Sequence, residues 1–289
     1  MKSLSKCNIV FVVLHYNNLK ETEKCVASLK KYLSNSNVHV VIVDNGSTVN
    51  TLDKLKKQNK NSQIHYIISK KNLGFSRGNN LGFKYAKTKL NANIIVLTNN
   101  DTWFEQKDFI DVLLTHYKNG FDVAGPKILT NSGKENQNPI FTTYNTPEEV
   151  EKVILKFRFL SLLWYLNLDN LFMKKLVPII KGSKVRKIKE NMDDFKLHGA
   201  CLIFSDNYID KFNGLSPQTF MYGEEDFLKY IVYSNDMKFQ YFNDLIVFHK
   251  GNASTDKEYG LGRKKRKFYY HWSLDSFTKL KSMMIERKM

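Results

Sequence analysis

Residues 93–102 have the sequence NIIVLTNNDT, an apolar run of strand length that ends in a polar cluster containing Asp101. Such runs are typical of strands that are buried on both faces of a parallel sheet. In open α/β sheets, ligands bind just beyond the carboxyl ends of these strands. We therefore expect Asp101 at the edge of a sheet, where its oxygens can hold Mg²⁺ or Mn²⁺ against a diphosphate. Taken alone, the stretch also fits a strand followed by an Asx turn.

The segments around this stretch extend the pattern. An apolar run followed by polar residues or glycines also occurs at residues 9–17, 38–48 and 64–82. Helical patterns lie between the runs, and another has apolar residues spaced along one face from Phe109 to Tyr117, with Gly120 as its expected end. Strands that alternate with helices predict an α/β fold with a mainly parallel central sheet flanked by helices.

Seven short motifs follow one another in a specific order. They are VLHYN at 13–17, VIVDNGST at 41–48, NLGF at 72–75, GNNLG at 78–82, LTNND at 97–101, HGA at 198–200 and FMYGEED at 220–226. Each motif is weak alone, but the ordered set is specific. Together they closely resemble the family 2 glycosyltransferases, which are inverting enzymes. Within that family, the pattern is most similar to bacterial enzymes of surface-polysaccharide synthesis, where rhamnosyl- and hexosyltransferases are common.

The resemblance implies a Rossmann-like, nucleotide-binding type A glycosyltransferase fold with a helical insertion. It covers roughly residues 8–129 and 197–250. The chain is then expected to contain a nucleotide-sugar-binding half, a helical insertion with basic and apolar residues, an acceptor-binding and catalytic half, and a C-terminal basic helix. These parts correspond to residues 1–129, 130–196, 197–262 and 263–289.

The composition is that of a folded protein. A hydrophobic content of 42% and an aromatic content of 13% exclude a disordered chain. The three cysteines, Cys7, Cys25 and Cys201, have no CxxC spacing, so we expect neither a disulfide framework nor a zinc site. No stretch reaches the roughly 20 apolar residues needed to span a bilayer. We expect a cytoplasmic protein that is at most peripheral on the inner face of the cell membrane.

The net charge of +17 suggests an anionic partner, although most lysines fit a solvated surface. The run RKKRK at 263–267 is of the kind found in nucleic-acid-binding proteins, but we find no nucleic-acid-binding motif and expect no such partner. A diphosphate donor, an anionic lipid-linked acceptor or an anionic membrane leaflet suits a basic protein equally well.

The insertion contains a predicted helix that begins near Pro147 and carries many apolar residues. Packing on the sheet is one interpretation of this helix. The other is an interfacial helix, with Trp164, Tyr165 and flanking basic residues at the lipid headgroups. A basic stretch follows at residues 174–189.

Inverting sugar transfer requires stabilisation of the leaving diphosphate and a general base for the acceptor hydroxyl. The resemblance assigns the base to the acidic cluster at residues 224–226, where Glu225 matches the second acid of the family's usual Glu-Asp pair. Glu224 and Asp226 remain alternatives, because all three acids also fit ordinary chemistry at a helix start.

The resemblance also implies residues that bind the donor. It assigns the metal to Asp101 and His249, and the nucleotide sugar to Tyr16, Asp44, Asn45, Asn72, Arg77, Asn79, Asn100 and Lys250. Several of these have equally good structural explanations: Asp44 fits a turn cap, Arg77 an exposed arginine and His249 a structural strand end. The C-terminal sequence FYYHWS at 268–273 departs from the Arg-Asn pair usual in the family.

We therefore expect an inverting, Mn²⁺- or Mg²⁺-dependent glycosyltransferase. Its donor would be a UDP- or dTDP-linked sugar, and its acceptor a saccharide or an undecaprenyl-diphosphate-linked saccharide in capsule, O-antigen or related polysaccharide synthesis. Two alternatives remain. One is a nucleotidyltransferase-like α/β enzyme, although the chain has no P-loop motif, and the other is a basic nucleic-acid-binding module.

Overall fold

The structure is a computed structural model that describes residues 7–48, 52–130, 132–169, 194–251 and 262–287. Within these ranges, one sheet contains β1 Ile9–His15, β2 Val38–Asp44, β3 Ile64–Ile68, β4 Ile94–Asn99, β5 Thr102–Trp103, β6 Val123–Thr130, β7 Cys201–Ser205 and β8 Phe239–His249. The helices are α1 Leu19–Leu29, α2 Leu52–Gln58, α3 Phe75–Lys89, α4 Phe109–Asn119, α5 Pro147–Tyr165, α6 Asp206–Lys211, α7 Glu224–Tyr233 and α8 Arg263–Glu286, with a 3-10 turn at Lys30–Ser34.

The order of the strands in the sheet is β3-β2-β1-β4-β7-β6-β8-β5. The first four strands in this order are parallel, β7 is antiparallel to both of its neighbours, and β8 is parallel to β6. In the parallel part, His15 pairs with Asp44 and Leu14 pairs with Asn99, so these strands end at one edge. The predicted fold class, a mainly parallel sheet flanked by helices, is confirmed.

The short strand β5 brings distant parts of the chain to this edge. It pairs with β8 in antiparallel orientation, with Thr102 opposite His249. Asp101 directly precedes β5, and its backbone carbonyl accepts a hydrogen bond from the Lys250 amide. The sheet thus places Asp101 beside the end of β8.

The two faces of the sheet are both covered by helices, which explains the continuous apolar runs. Along β1, Ile9, Phe11 and Val13 point to a core that includes residues of α1, α2 and α4. Val10 and Val12 point to a second core, on the other face, with residues of α3, α6 and α7. A strand that is buried on both sides has no polar alternation.

Two helix ends follow the chemistry of the sequence. Helix α4 ends at Gly120, which has a φ of +85° as the predicted glycine stop requires. Helix α5 begins with a reciprocal cap, in which the Thr146 hydroxyl accepts from the Glu149 amide and the Glu149 carboxylate accepts from the Asn145 amide.

Helix α5 packs along helix α8, and the apolar cluster that buries it contains no residue of the sheet, which differs from the interpretation that this helix packs on the sheet. Its buried residues Val150, Ile154 and Phe157 share a third apolar cluster with Phe277 and Leu280 of α8. The basic stretch predicted at residues 174–189 lies outside the described residues. None of the helices described here is long and apolar enough to cross a membrane.

Candidate active site

A cavity of about 350 Å³ opens at the edge where the parallel strands end. This is the position at which open α/β sheets bind ligands. Residues from both halves of the chain line it: Leu14, Tyr16, Asn45, Asn72, Gly74, Phe75, Asn99, Asn100, Asp101, Gln137, His198, Gly199, Ala200, Met221, Tyr222, Glu224, Glu225, His249 and Gly251. The structure therefore brings together eight of the predicted site residues: Tyr16, Asn45, Asn72, Asn100, Asp101, Glu224, Glu225 and His249.

Asp101 and His249 form what we call the strand side of the cavity. The Asp101 Oδ1 atom lies 3.3 Å from the His249 Nε2 atom, and both side chains are buried. The His249 Nδ1 atom lies 2.8 Å from the Oε1 atom of Gln137, which can only accept a hydrogen bond, so this nitrogen carries the proton. In the neutral ring, Nε2 then presents a lone pair, and within the described residues it has no hydrogen-bond partner.

The strand side fits a divalent cation. A carboxylate oxygen and an imidazole lone pair face each other at short range, which is an arrangement that a cation between them would stabilise. The described residues contain no group of three or more His, Cys, Asp or Glu side chains placed to hold a metal. Two protein ligands still suit Mg²⁺ or Mn²⁺, because such ions commonly complete their shell with water and phosphate oxygens.

Two consecutive residues position the histidines at the back of the cavity. Gln137 holds the His249 ring, and the Asn138 Oδ1 atom accepts a hydrogen bond of 3.0 Å from the His198 amide. Asn138 is itself buried and fixed by a bond from its Nδ2 atom to the Pro126 carbonyl. Burial lowers the pKa of His198, so this ring is neutral at neutral pH. We predicted neither Gln137 nor Asn138 from the sequence, since no apolar period or motif marks this segment.

Helix α7 begins with Glu224, Glu225 and Asp226. We call this the helix side of the cavity, which Glu224 and Glu225 line, whereas Asp226 is not part of the lining. Gly223 precedes them with a φ of +82°, a conformation that favours glycine. Asp226 is buried and forms an ion pair of 2.6 Å with Lys196, which is partly buried. Burial outweighs the attraction of Lys196 and raises the pKa of Asp226 to about 6, so the carboxylate is ionised at neutral pH.

Glu224 and Glu225 both line the cavity but differ in environment. The Glu224 carboxyl is fully enclosed, and its Oε2 atom has no hydrogen-bond partner among the described residues. Burial, together with the nearby charge of Glu225, raises the pKa of Glu224 well above its usual range. Glu225 is half-buried, and its Oε1 atom accepts a hydrogen bond of 3.2 Å from the Gly199 amide.

Asn45 and Asn72, two of the residues predicted to bind the donor, also shape the wall of the cavity. The Asn45 side chain donates to the Asn72 Oδ1 atom and the Gly74 carbonyl, and it accepts from the Leu73 amide. These bonds fix the glycine-rich loop against the end of β2. Asp44, which directly precedes Asn45, accepts a hydrogen bond of 2.9 Å from the Ser47 amide, which is the turn-cap role. Asn100 donates to the Thr22 hydroxyl at 3.0 Å.

The other predicted donor residues are not part of the lining. The exposed Arg77 donates through Nε to the Pro217 carbonyl, and the buried Asn79 donates to the Phe75 carbonyl. The Lys250 Nζ atom pairs with the Glu21 carboxylate at 2.6 Å. Contacts between these three side chains and a nucleotide sugar remain predictions.

The sequence of the chain identifies its family. Residues 10–177 match the sequence model of glycosyl transferase family 2. The match spans more than half of the chain, and the chain therefore belongs to this family.

Individual relatives agree with this assignment. The chain is 28% identical over 186 residues to the low-salt glycan biosynthesis hexosyltransferase Agl10 of Haloferax volcanii, an alignment that covers 64% of this chain and 50% of that protein. The chain thus spans about half the length of the curated relative it matches.

Two solved structures share the fold. One is S. aureus TarS 1-349 in complex with UDP, with a TM-score of 0.56 and 15% identity over 84% of this chain and 60% of that one. The other is GalNAc-T7 with UDP, GalNAc and Mn²⁺, with a TM-score of 0.56 and 12% identity over 86% of this chain and 44% of that one. At these identities the similarity concerns the fold alone.

Proposed function

We propose that this glycosyltransferase moves a hexosyl or rhamnosyl group, with inversion, from a UDP- or dTDP-linked donor to a saccharide or an undecaprenyl-diphosphate-linked saccharide. The observation that carries the proposal is one cavity lined by both Asp101 and Glu225. Support for the donor class comes from UDP in the TarS and GalNAc-T7 structures, and support for the sugar class from the hexosyltransferase Agl10.

The strand side would bind the diphosphate of the donor. Asp101 through a carboxylate oxygen and His249 through Nε2 would hold Mn²⁺ or Mg²⁺, and Gln137 keeps the histidine in the tautomer that this requires. A bound divalent cation supplies positive charge that stabilises the diphosphate as it leaves. The presence of Mn²⁺ in the GalNAc-T7 structure supports this choice of ion.

The helix side would supply the general base. Glu225 takes the proton of the acceptor hydroxyl while the hydroxyl oxygen forms a bond to the anomeric carbon of the donor. The bond from that carbon to the diphosphate oxygen breaks, and the nucleoside diphosphate leaves with the electron pair. A single displacement of this kind inverts the anomeric configuration.

The neighbours of Glu225 are less suited to this role. Burial raises the pKa of Glu224 and favours its neutral form, whereas a general base must be ionised. Asp226 is ionised, but Lys196 occupies its carboxylate. Glu225 combines access to the cavity with a single backbone hydrogen bond.

The acceptor and the location are inferred from the chemistry of this family. A lipid-linked acceptor for capsule, O-antigen or a related polysaccharide would place the reaction at the cytoplasmic face of the cell membrane. The charge of +17 suits such anionic substrates. Membership in the family favours sugar transfer over both alternatives, the nucleotidyltransferase-like enzyme and the nucleic-acid-binding module.

A donor screen tests the proposal. Thermal shift should show stabilisation by UDP- or dTDP-sugars that increases with Mn²⁺, because a ligand that binds only the folded state raises its stability. NMR of the product formed on a saccharide acceptor should then show inversion. Stabilisation by none of the UDP-, GDP- or dTDP-sugars, or retention of configuration, would contradict the proposal.

A further inference from the structure

Helix α5 carries an exposed apolar stripe. Eleven large apolar side chains are exposed in the described part of the chain, and six of them lie within fourteen residues: Leu155, Phe159, Leu162, Tyr165, Leu166 and Leu168. Leu155, Phe159, Leu162 and Leu166 follow the spacing of one helix face, with exposed fractions of 53%, 45%, 57% and 58%. We call these six residues the α5 stripe.

Four residues of the α5 stripe lie on α5, whose opposite face is already buried, and Leu166 and Leu168 follow the end of the helix at Tyr165. Val150, Val153, Ile154, Phe157 and Leu160 pack in the cluster shared with α8. A surface helix of a globular protein normally carries polar residues on its outer face. An apolar outer face on such a helix indicates a contact with another apolar phase.

A cluster of positive charge borders the stripe. We call residues 263–267, RKKRK, the basic turn, and they form the first turn of α8. The Arg263 guanidinium lies 4.2 Å from the centre of the Trp164 ring, and the Lys267 ammonium lies 4.9 Å from it. Trp164 also donates to the Arg263 carbonyl, and Arg263 donates to the Trp164 carbonyl. Trp164 and Arg263, which are 99 positions apart in the sequence, thus belong to one surface.

The basic turn contradicts the usual electrostatics of a helix start. The partial positive charge at a helix N-terminus favours acidic residues and disfavours basic ones. Helix α5 follows this rule with Glu148 and Glu149, whereas α8 has no acid in its first turn. Arg266 is paired with Asp169 at 2.6 Å. Retention of an unfavourable local arrangement indicates a functional role for the charge.

We propose that the α5 stripe and the basic turn together dock the protein on an anionic bilayer. The stripe would lie in the boundary between headgroups and acyl chains, and the basic side chains would contact lipid phosphates. A second copy of this chain is a poorer occupant, because it would bring another protein of charge +17 against the basic turn.

The docking surface adjoins the cavity. Two residues after the basic turn, the Tyr269 ring contacts the ring of Tyr222 at a centroid distance of 4.8 Å, and Tyr222 lines the cavity. A protein docked in this way would hold its cavity close to the headgroups. The benefit for a lipid-linked acceptor rests on the proposed function, whereas the docking itself does not.

Co-sedimentation with vesicles tests the inference. The parent protein should bind phosphatidylcholine vesicles that contain one third phosphatidylglycerol, and binding should fall as salt rises. Leu155→Ser with Leu162→Ser should weaken binding at least 10-fold, because both side chains leave the lipid boundary. Lys264→Gln with Lys267→Gln should weaken it about 30-fold.

Matched controls separate this surface from general charge and apolarity. Ile68→Ser removes an equally exposed apolar side chain, and Lys54→Gln with Lys57→Gln removes two charges from α2. These variants should bind vesicles as the parent does. All variants should retain the thermal shift given by UDP with Mn²⁺, which reports on the donor site independently of lipid.

Three results would overturn the inference. The first is that the parent protein does not bind anionic vesicles at low salt, and the second is that the control variants lose binding as much as the surface variants do. The third is that light scattering shows a dimer, that the stripe variants dissociate it, and that no vesicle binding occurs. The last would assign the surface to a second copy of the chain. Failure of sugar transfer with intact vesicle binding would contradict the proposed function and leave the docking surface standing.

Discussion

The two acidic sides of the cavity are built in different ways. On the strand side, the ends of β4 and β8 place one carboxylate, Asp101, beside one histidine, His249. On the helix side, three consecutive acids begin α7, and each lies in a different environment. Glu224 is enclosed, Glu225 accepts from a backbone amide, and Asp226 pairs with Lys196.

This difference shows that the partners of an acid, more than its position in the sequence, decide what it does. The same three carboxylates could all serve as helix-start acids. Burial favours the neutral form of Glu224, Lys196 engages Asp226, and Glu225 faces the cavity with a hydrogen bond from a backbone amide. On the strand side, the pairing of β5 with β8 places Asp101 beside His249.

The largest expected effect is the loss of turnover in Glu225→Gln. Glutamine keeps the size of the side chain and can still accept from the Gly199 amide, but it cannot take a proton. Turnover should fall about 10²–10⁴-fold, the usual contribution of a general base. The measurement is the initial rate of nucleoside diphosphate release in the presence of acceptor.

Glu224→Gln is the matched control for this variant. Because burial raises the pKa of Glu224 and so favours its neutral carboxyl form, an amide in its place should lower turnover far less than the change at Glu225. Near-parental turnover of Glu225→Gln, with a collapse in Glu224→Gln, would transfer the role of base to Glu224.

The next effect concerns stability and separates Asp226 from its neighbours. Lys196→Met leaves the buried carboxylate of Asp226 without its cation, which should cost about 3–5 kcal/mol of unfolding free energy at neutral pH. Asp226 already has a raised pKa of about 6, and removal of Lys196 raises it further. The folded state then binds the proton more tightly than the unfolded state, so the stability deficit should shrink as the pH falls through this raised pKa toward about 6, and it should stay constant at lower pH, where Asp226 is protonated in both proteins.

Urea unfolding of Lys196→Met at several pH values measures this deficit. The double variant Lys196→Met with Asp226→Asn removes both charges and should recover part of the lost stability at neutral pH. A deficit that stays constant across the pH range would show that the variant loses packing and not a partner for Asp226.

The smallest effect tests how the strand side is held. Gln137→Met removes the acceptor that fixes the tautomer of His249. The affinity for Mn²⁺ in the presence of UDP should fall about 10–100-fold, as is usual when a residue that orients a ligating histidine is lost. Gln137→Glu keeps an acceptor at the same place and should retain the affinity. Equal affinities in all three proteins, measured by Mn²⁺ electron paramagnetic resonance, would show that Gln137 does not position the ring.

The sequence was sufficient to predict the sheet and the position of Asp101 at its edge. A strand that is buried on both faces leaves a continuous apolar run, and the polar cluster that ends it is part of the same ten residues. The sheet and the position of Asp101 at its edge are therefore encoded locally, whereas the pairing of β5 with β8 is needed to bring His249 beside it. The choice among Glu224, Glu225 and Asp226 is not encoded locally, because adjacent acids in one helix turn carry the same local signal.

The positioning contacts could not be predicted because they join distant residues. Gln137 acts on a histidine 112 positions away, Asn138 on one 60 positions away, and Lys196 on an acid 30 positions away. The docking surface also joins parts of the chain that are distant in the sequence. The sequence shows an apolar helix near Trp164 and a basic run at residues 263–267, but only the packing of α5 on α8 brings them together.

The most direct test of the division between the two sides is calorimetric titration of UDP, with and without Mn²⁺, into Asp101→Asn and Glu225→Gln. If Asp101 serves the donor and Glu225 the acceptor, Asp101→Asn loses the gain in UDP affinity that Mn²⁺ gives, whereas Glu225→Gln keeps the parental gain. Parental UDP affinity with Mn²⁺ in Asp101→Asn, or loss of that affinity in Glu225→Gln, would contradict the account.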